Sequence, residues 1–315
     1  MPVFLGGVVT DRTVFLGKER VGVGIACAAI GIAFMALFDA LAKLLGEGYH
    51  VVQLVFFRNF FGLLFVLLLV VRAGLGSLGS RHPVIHALRA AFALGATFSF
   101  FIGLQFMPLA EAFAITFTGP IFITVLSIPV LGETVGLRRW TAVLVGFVGV
   151  VIMLRPGSEA LRLEALLPLT AALCYAFVML LSRKLSRSEP VGTVMFWTAL
   201  IGTLASGAAL PAEWLAPTSR DWALFILLGL LGSVTMWFMT VAYRHAPAAV
   251  VAPFDYTILL WGLLLGWLIW HELPDPAIWP GAAILIGCGL YITHRETRVA
   301  RKALKGTEDT PATGI

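Results

Sequence analysis

Apolar residues run along this chain in long, continuous stretches that short polar segments separate. A helix needs about 20 apolar residues to cross the hydrocarbon core of a bilayer. The runs do not alternate between apolar and polar positions, which argues against the strands of a membrane β-barrel. We therefore predict an all-α integral membrane protein with ten transmembrane helices. The predicted spans are residues 21–44, 51–71, 84–104, 108–131, 139–155, 165–183, 192–211, 222–242, 248–270 and 277–293.

The composition agrees with a protein whose solvent is lipid. Hydrophobic residues make up 59% of the 315 residues and charged residues only 12%, whereas soluble domains carry about 25% charged residues. A soluble protein of this composition would expose large apolar patches and aggregate. This excludes a cytosolic enzyme and a nucleic-acid-binding protein, despite the net charge of +5. The lipid bilayer is thus the first expected partner.

The basic residues predict how the chain is oriented. Of the 22 Lys and Arg residues, 16 fall in loops or tails on the side of the N-terminus, three in loops on the opposite side and three within spans. Cytoplasmic loops are rich in Lys and Arg, so both termini are predicted to be cytoplasmic. The first apolar run is too long for the core of a signal peptide, and we interpret it as a retained helix. Residues 1–20 and 295–315 are predicted to be a cytoplasmic segment and tail.

The chain also contains an internal repeat. Without a gap, an offset of 139 residues superposes the segment that begins at Pro108 on the segment that begins at Pro247. The identities that carry the match are Pro108 with Pro247, Ala110 with Ala249, Thr118 with Thr257, Glu133 with Glu272 and Trp140 with Trp279. We predict two repeats, residues 21–155 and 165–294, each with five helices. Because five is odd, the copies cross the membrane in opposite senses, an arrangement that suits alternating access. A duplicated scaffold or a membrane-embedded enzyme are the alternatives.

Charged residues inside the spans are candidates for transport, because a charge in lipid usually faces a partner or a wet cavity. Asp39 and Lys43 are four residues apart and share one helix face. They form either a gated ion pair or a self-neutralising pair in which Lys43 extends to the interface. Arg58, beside Asn59, is deep enough to pair with Asp39. Alternatively, its guanidinium binds a carboxylate, a phosphate or a flat ring.

Three further charged residues lie within spans. Arg89 either extends to the cytoplasmic interface or joins an inner gate. Glu111 lies near the start of its helix, where the helix dipole favours a carboxylate; binding of substrate or a proton is the alternative. Asp255, whose repeat equivalent is Thr116, follows Pro253 in the helix. An acid at that place suits a cationic substrate or a titrating proton site.

Aromatic residues and the two repeated glutamates complete the candidate set. Phe117, Trp237, Phe254 and Tyr256 are candidates to line a cavity for a planar ring, although most membrane aromatics only pack or face lipid. Glu133 and Glu272 lie at helix ends, where capping of the following helix is the expected role. Three cysteines in apolar runs lack the spacing of a metal or disulfide framework and are interpreted as structural thiols. They are Cys27, Cys174 and Cys288.

Four stretches resemble a known family of carriers. They are FDALAKLL (38–45), VVQLVFFRNFFGLL (51–64), PLAEAFAITFTGPIFITVLSIPVLGETVGLRRW (108–140) and AYRHAPAAVVAPFDYTILLWGLLLGWLIWHELPDP (242–276). Together they resemble the EamA-type transporters of the drug/metabolite transporter superfamily, in the bacterial form with two repeats and ten helices. The PLAEA and APFDYT stretches are similar to the branch with S-adenosylmethionine and riboflavin transporters. The resemblance implies a multi-pass carrier of the bacterial inner membrane.

The expected activity is secondary transport of a small organic metabolite. No GxxxxGK[ST] motif for a nucleotide is present, so energy has to come from a coupled proton or from an exchanged metabolite. No cofactor, metal or enzymatic activity is expected, because the six histidines lie in loops or near span ends. By resemblance, uptake of riboflavin or S-adenosylmethionine leads, with export of amino acids or related metabolites as the alternative. The direction of transport and the formation of a homodimer stay open.

Overall fold

The computed structural model of the chain describes residues 18–73, 79–132, 137–154, 163–185, 188–245, 251–276, 278–288, 290–291 and 294. Within these ranges the backbone forms helices and turns, with no strand. The all-α prediction is therefore confirmed. Continuous apolar sequence in lipid dictates this result, because a helix satisfies every backbone hydrogen bond internally. Of the residues and segments discussed above, Glu133, Pro247, Ala249, residues 1–17 of the predicted N-terminal segment and the predicted tail at 295–315 lie outside the described ranges.

The helices follow the predicted spans closely. Their bounds are α1 Lys18–Gly46, α2 Val51–Ala73, α3 Pro83–Gly103, α4 Leu109–Thr116, α5 Gly119–Leu131, α6 Leu137–Leu154, α7 Leu166–Leu185, α8 Val191–Ala209, α9 Ser219–His245, α10 Ile258–Trp270 and α11 Ile278–Cys288. Within the described residues, seven helical stretches are long and apolar enough to cross a membrane, counting α4 and α5 as one. Three shorter apolar helices correspond to the fifth, ninth and tenth predicted spans.

Two predicted spans are interrupted helices rather than continuous ones. The span predicted at 108–131 breaks between α4 and α5 at Phe117 and Thr118. In the span predicted at 248–270, the 3₁₀ segment Ala252–Thr257 precedes α10. Prolines account for both breaks: Pro120 lies just after the first, and Pro253 lies within the second. Proline has no N–H to donate and excludes the carbonyl of the preceding turn.

The two breaks are equivalent under the offset of 139 residues. Thr118 donates its hydroxyl to the carbonyl of Ile115 at 2.9 Å, and Thr257 donates to the carbonyl of Phe254 at 2.6 Å. The helices that follow also end alike. Gly132 ends α5 in the left-handed conformation with φ 70°, and His271 ends α10 with φ 56°. The repeat in the sequence is thus a repeat of backbone geometry.

Helices at corresponding positions of the two repeats run antiparallel. In the pair α2 and α8, Phe56 lies against Gly207 and Asn59 against Gly202, so the contacts proceed in reverse order along the chain. Helix α1 packs on α9 and α3 on α7, which are equivalent pairings between the repeats. The core is therefore built mainly from contacts between the halves.

The outer surface is apolar, as the membrane requires. On α6, four large side chains are more than half exposed: Leu144, Val145, Phe147 and Val148. Trp140 and Trp279, which the repeat equates, are 40% and 41% exposed at the starts of α6 and α11. Tryptophan is enriched at membrane interfaces, so these residues fit an interfacial belt.

Helices α6 and α11 cross so closely that only glycine fits. A Cβ atom at Gly281 would lie 2.7 Å from the carbonyl oxygen of Gly149 and 2.2 Å from a side-chain carbon of Met153. The space around Gly287, on the same helix, is open. Small residues at such crossings let helix backbones approach in membranes.

We expect Gly281→Ala to lower the melting temperature of the purified protein by several degrees, because the added methyl group has to push α6 and α11 apart. Gly287→Ala is the matched control. It should leave the melting temperature unchanged or raise it slightly, since alanine is favoured over glycine in helices by about 1 kcal/mol. Equal melting temperatures for both variants would contradict the close crossing.

Candidate functional site

Arg58 lies inside the helix bundle between aromatic rings. Its guanidinium carbon is 5.2 Å from the ring centre of Phe38 and 5.8 Å from that of Phe101. One guanidinium nitrogen donates a hydrogen bond to the hydroxyl of Thr97 on α3. A cation over aromatic faces is stabilised by the ring quadrupoles. The guanidinium therefore has protein partners and does not need to extend to the interface.

Asp39 is only 6% exposed, and it is brought near Arg58 as the sequence predicted. Arg58 is the charge with which this carboxylate interacts electrostatically, but the two do not approach to an ion pair of 4 Å or less. Asp39 receives no hydrogen bond from the residues that the structure describes. Its acceptor capacity is consequently left for water or a ligand.

Lys43 does not pair with Asp39, and in this respect the prediction was wrong. Its ammonium group donates to the Glu272 carboxylate and, at 3.0 Å, to the carbonyl of Met107. It also lies 4.8 Å from the ring centre of Trp270. Lys43 is 6% exposed, so it does not extend to the interface either. The i, i+4 spacing was misleading because a partner from the other repeat lies closer.

The same contact replaces the expected capping role of Glu272. Its side chain binds Lys43 of α1, while its backbone N–H closes the end of α10 by a bond to the carbonyl of Gly266. Trp270 adds a second link, since its indole N–H donates to the carboxylate of Glu47. Two polar contacts therefore join the end of α1 to the end of α10, at one end of the bundle.

Arg89 is buried near the opposite end of the bundle. Its Nε donates to the hydroxyl of Ser182 on α7 at 2.7 Å, and another guanidinium nitrogen donates to Thr198 on α8. At 9% exposure it does not extend to the interface. Arg89 thus links the third helix of the first repeat to two helices of the second.

Asp255 lies in the 3₁₀ segment Ala252–Thr257 that precedes α10. It is partly exposed and receives no hydrogen bond from the described part of the chain. Tyr175 on α7 interacts electrostatically with both Asp255 and Arg89. Sequence reasoning missed Tyr175, because a single tyrosine in an apolar helix carries no distinguishing pattern.

The two helix breaks meet near the centre of the bundle. Phe117 and Tyr256, which the offset of 139 residues equates, contact each other edge to face with ring centres 5.0 Å apart. Contact between equivalent residues places this pair close to the axis that relates the repeats. Phe254 precedes Asp255 and packs against the core. Thr116 donates its hydroxyl to the carbonyl of Phe113 at 2.7 Å and so is used within its own helix.

The remaining predicted residues are less clearly placed at this centre. Glu111 is buried in the first turn of α4, where the helix dipole favours its charge. Asn59 donates to the carbonyl of Val55 at 2.8 Å and packs against Gly202. Trp237 is 53% exposed on the face of α9 that also exposes Ile226 and Leu230. Trp237 therefore faces outward, and the expectation that it lines a cavity is not supported.

A second polar network, which the sequence did not reveal, lies at the same end of the bundle as Arg89. The carboxylate of Glu189 accepts hydrogen bonds from the Ser80 hydroxyl at 2.8 Å and the Arg81 backbone N–H at 2.9 Å, and it contacts Nε2 of His86 at 2.5 Å. Burial by itself raises the pKa of Glu189. The hydrogen bonds and the charge of His86 outweigh that effect and lower the pKa to about 2.

The opposite end carries a comparable contact. Tyr49 donates its hydroxyl to the carboxylate of Asp221 at 2.6 Å. Tyr49 precedes α2 and Asp221 begins α9, just as Glu189 precedes α8 and Ser80 precedes α3. In both cases, a residue just before the second helix of one repeat forms a hydrogen bond at the start of the third helix of the other repeat.

The low pKa of Glu189 predicts how stability changes with pH. Because the pKa in the folded protein lies below its ordinary value of 4.5, the ionised carboxylate stabilises the fold fully above about pH 4.5, and this contribution is lost as the pH falls towards 2. Glu189→Gln should therefore lower the melting temperature most at pH 6 to 7, with the difference from the wild type shrinking in acid. Glu213→Gln, at an exposed pair with His50, is the control and should change little.

The contact between Lys43 and Glu272 predicts an energetic coupling between the repeats. Lys43→Met and Glu272→Gln should each lower the free energy of unfolding, since each leaves the charge of the remaining side chain without an opposite charge. The double variant should lose less than the sum of the two, by about 1 kcal/mol or more. Thermal or denaturant unfolding in detergent measures the cycle, and strict additivity would show that the two side chains do not interact.

Comparison with known proteins identifies the family to which the chain belongs. The model of the EamA-like transporter family matches it twice, at residues 22–155 and 162–294. A riboflavin transporter of Rhizobium johnstonii is 36% identical over 248 residues, which cover 78% of this chain and 82% of the relative. An S-adenosylmethionine uptake transporter of Rickettsia bellii is 30% identical, over 90% of this chain and 97% of the relative. A pseudopaline exporter of Pseudomonas aeruginosa is 25% identical, over 84% and 94%.

These relatives are transporters rather than enzymes, and their substrates are small molecules. The helices long enough to cross a membrane agree with a location in lipid. The resemblance that the sequence carried is thus confirmed by the match to both repeats. The chain belongs to the EamA-like transporter family and is a multi-pass transporter of the bacterial inner membrane.

Proposed function

We propose that the chain is a secondary transporter that works by alternating access. Ten helices form two inverted repeats of five, and both termini lie in the cytoplasm. The orientation follows from the distribution of Lys and Arg. On this assignment, the contact of Lys43 with Glu272 lies at the outer end of the bundle, and Arg89 and Glu189 lie towards the cytoplasmic end.

One observation carries the proposal: carboxylates deep in the bundle have no hydrogen-bonding partner in the described part of the protein. Asp39 and Asp255 are in this position, whereas Arg58, Arg89 and Lys43 all have protein partners. A charge in a membrane protein is costly unless it meets a partner or water. Asp255 adjoins Tyr256, where the two broken helices meet, and Asp39 faces the charge of Arg58. The unused hydrogen-bond acceptors of both acids fit a ligand site near the bilayer midplane.

The contacts at the ends of the bundle supply the gates of this mechanism. The end of α1 is tied to the end of α10 through Lys43 and Glu272. These helices belong to different repeats, so the contact has to break when the outer end opens. The repeats meet through equivalent pairs of helices. An equivalent rearrangement, with the roles of the two repeats exchanged, can therefore open the cytoplasmic end.

For the substrate we propose a heterocyclic metabolite taken up by the cell, with riboflavin and S-adenosylmethionine as the leading candidates. Two of the relatives carry these names. The aromatic side chains around Arg58, namely Phe38 and Phe101, and the pair of Phe117 with Tyr256 offer surfaces on which a planar ring can stack. Export of amino acids or related metabolites is the second candidate, because one relative is an exporter.

Uptake into proteoliposomes tests the proposal directly. Labelled riboflavin and labelled S-adenosylmethionine are offered separately, with the same unlabelled compound inside to allow exchange. We expect saturable uptake of one of them by the wild type. The variant Arg58→Gln with Asp255→Asn should lose at least tenfold in the rate, because it removes charges at both predicted parts of the site. Coupling to a proton would appear as faster uptake with an imposed pH gradient.

The control for this experiment is Tyr291→Phe on the outer surface, which should transport as the wild type does. If folded wild-type protein transports neither compound, the proposed substrates are overturned. Export of amino acids then becomes the leading hypothesis. Efflux of amino acids from preloaded vesicles then becomes the measurement. Full activity in the charge variant would remove Arg58 and Asp255 from the site.

A further inference from the structure

Helix α3 has one face towards lipid and the opposite face towards the interior of the bundle. Leu88 is 48% exposed, and Ala91 continues this outer face one turn later. Arg89, Ala93 and Thr97 follow one another at intervals of four residues, which places them in one row on the other side of the helix. Arg89 is buried, and the other two are only partly exposed. This row therefore faces the interior, between α3 and its neighbours.

Two guanidinium groups lie along this row. Arg58 of α2 donates a hydrogen bond to the hydroxyl of Thr97, which lies eight residues after Arg89. Eight residues of helix correspond to about 12 Å along its axis. Arg89 donates to the hydroxyls of Ser182 on α7, at 2.7 Å, and of Thr198 on α8. The hydrogen bonds thus hold one guanidinium beside Thr97 and the other about two turns closer to the start of α3.

These hydrogen bonds satisfy donors without neutralising the charges. Every acceptor is a hydroxyl, and within the described residues neither guanidinium lies within 4 Å of a carboxylate. Asp39 acts on Arg58 only from a greater distance. The carboxylate of Glu189, at the same end of the bundle as Arg89, is bound by His86. In the described part of the chain, both guanidinium charges are therefore without a paired carboxylate.

Lys43 shows the contrasting arrangement, at the end of the bundle where α1 meets α10. Its ammonium group pairs with Glu272, so that contact is neutral. A buried charge that lacks an opposite charge is costly in a low-dielectric setting. This cost is avoided at Lys43 and retained at Arg58 and Arg89, as expected of positions where a ligand supplies the negative charge.

The unused donors and the charge define the ligand. A guanidinium has five N–H donors, of which Arg58 uses one and Arg89 two in hydrogen bonds to described residues. The planar fork of the group matches a carboxylate or a phosphate. Each position offers one positive charge, which a carboxylate balances, whereas a phosphate monoester carries about two negative charges. A carboxylate is therefore the group that fits.

We propose that Arg58 and Arg89 are two successive positions for the carboxylate of the transported molecule along the inner face of α3. This proposal rests on the proposed function and narrows its substrate class to metabolites with a carboxylate. S-Adenosylmethionine and the amino acids carry such a group, and riboflavin does not. Arg58 is bound within the first repeat, whereas Arg89 is bound to helices of the second. The carboxylate therefore moves between a position inside one repeat and a position between the two.

The reactivity of position 93, which lies between the two arginines, tests the charge of this path. Full-length Ala93→Cys protein in nanodiscs is treated with anionic sulfonatoethyl methanethiosulfonate or with the cationic trimethylammonioethyl reagent. Mass spectrometry quantifies the reagent at position 93, so the natural cysteines stay in place. Relative to the rates of both reagents with a free thiol in solution, we expect the anionic one to react at least threefold faster than the cationic one.

Charge variants show whether the arginines cause this preference. Arg58→Gln and Arg89→Gln, each combined with Ala93→Cys, should reduce the anionic preference at least twofold, and Arg89→Lys should retain it because the charge is kept. Ala91→Cys, on the outer face of the same helix, is the matched control, since lipid should keep both charged reagents away from it. Absence of labelling at position 93, a cationic preference, or a preference that neither Gln variant changes would overturn the proposal.

Protection of position 93 tests the ligand. S-Adenosylmethionine is compared with its decarboxylated form, and each of a panel of free amino acids with its methyl ester. We expect at least one carboxylate compound to slow the anionic labelling at least threefold, while its counterpart without the carboxylate leaves the rate unchanged. Equal protection by both members of every pair, or protection by none, would overturn the carboxylate positions.

The proposed function and this inference can fail separately. Protection by riboflavin alone would overturn the carboxylate positions and leave the proposed uptake of a heterocycle standing. If a carboxylate compound protects position 93 but proteoliposomes neither take it up nor exchange it, the binding positions stand and the proposed transport is overturned.

Discussion

The structure depends on one constraint: lipid offers no hydrogen bonds, so every polar group within a span has to find its partner in the protein or in enclosed water. Three basic side chains show the first solution. Arg58 binds Thr97, Arg89 binds Ser182 and Thr198, and Lys43 binds Glu272 and a carbonyl. The acids Asp39 and Asp255 show the second, since they keep unused acceptors in the described part of the bundle. This difference separates side chains that are bonded within the protein from side chains whose acceptors are unused.

The scaffold is symmetric, but the polar lining is not. The helix breaks, the left-handed ends of α5 and α10 and the helix pairings are all repeated between the halves. The charges of Asp255 and Arg58 are not repeated. Thr116 occupies the position equivalent to that of Asp255. When α2 and α8 are aligned at their first residues, Val51 and Val191, Arg58 corresponds to Thr198. In the proposed mechanism, the symmetric frame permits two inverted conformations, and the asymmetric charges allow a site to recognise a ligand whose two ends differ.

The sequence predicted the helices well, because lipid demands long apolar runs and the hydropathy pattern is local. It also predicted that Asp39 and Arg58 lie near each other, since both were placed at similar depth. It failed where the answer depends on how helices pack. Lys43 was assigned to a neighbour on its own helix and instead meets Glu272, 229 residues away. Tyr175 and the contact of His86 with Glu189 went unnoticed, because only tertiary structure gives these residues their surroundings.

The kinds of contact between the repeats suggest which interfaces persist during transport. Where α6 crosses α11 and α2 crosses α8, glycines bring the helices together, and such close packing is hardly compressible. The ends of α1 and α10 meet instead through long polar side chains, Lys43 with Glu272 and Trp270 with Glu47. Water can replace each partner in these contacts when the end opens. In the proposed mechanism the glycine crossings are therefore the fixed parts, and the polar ends are the parts that separate.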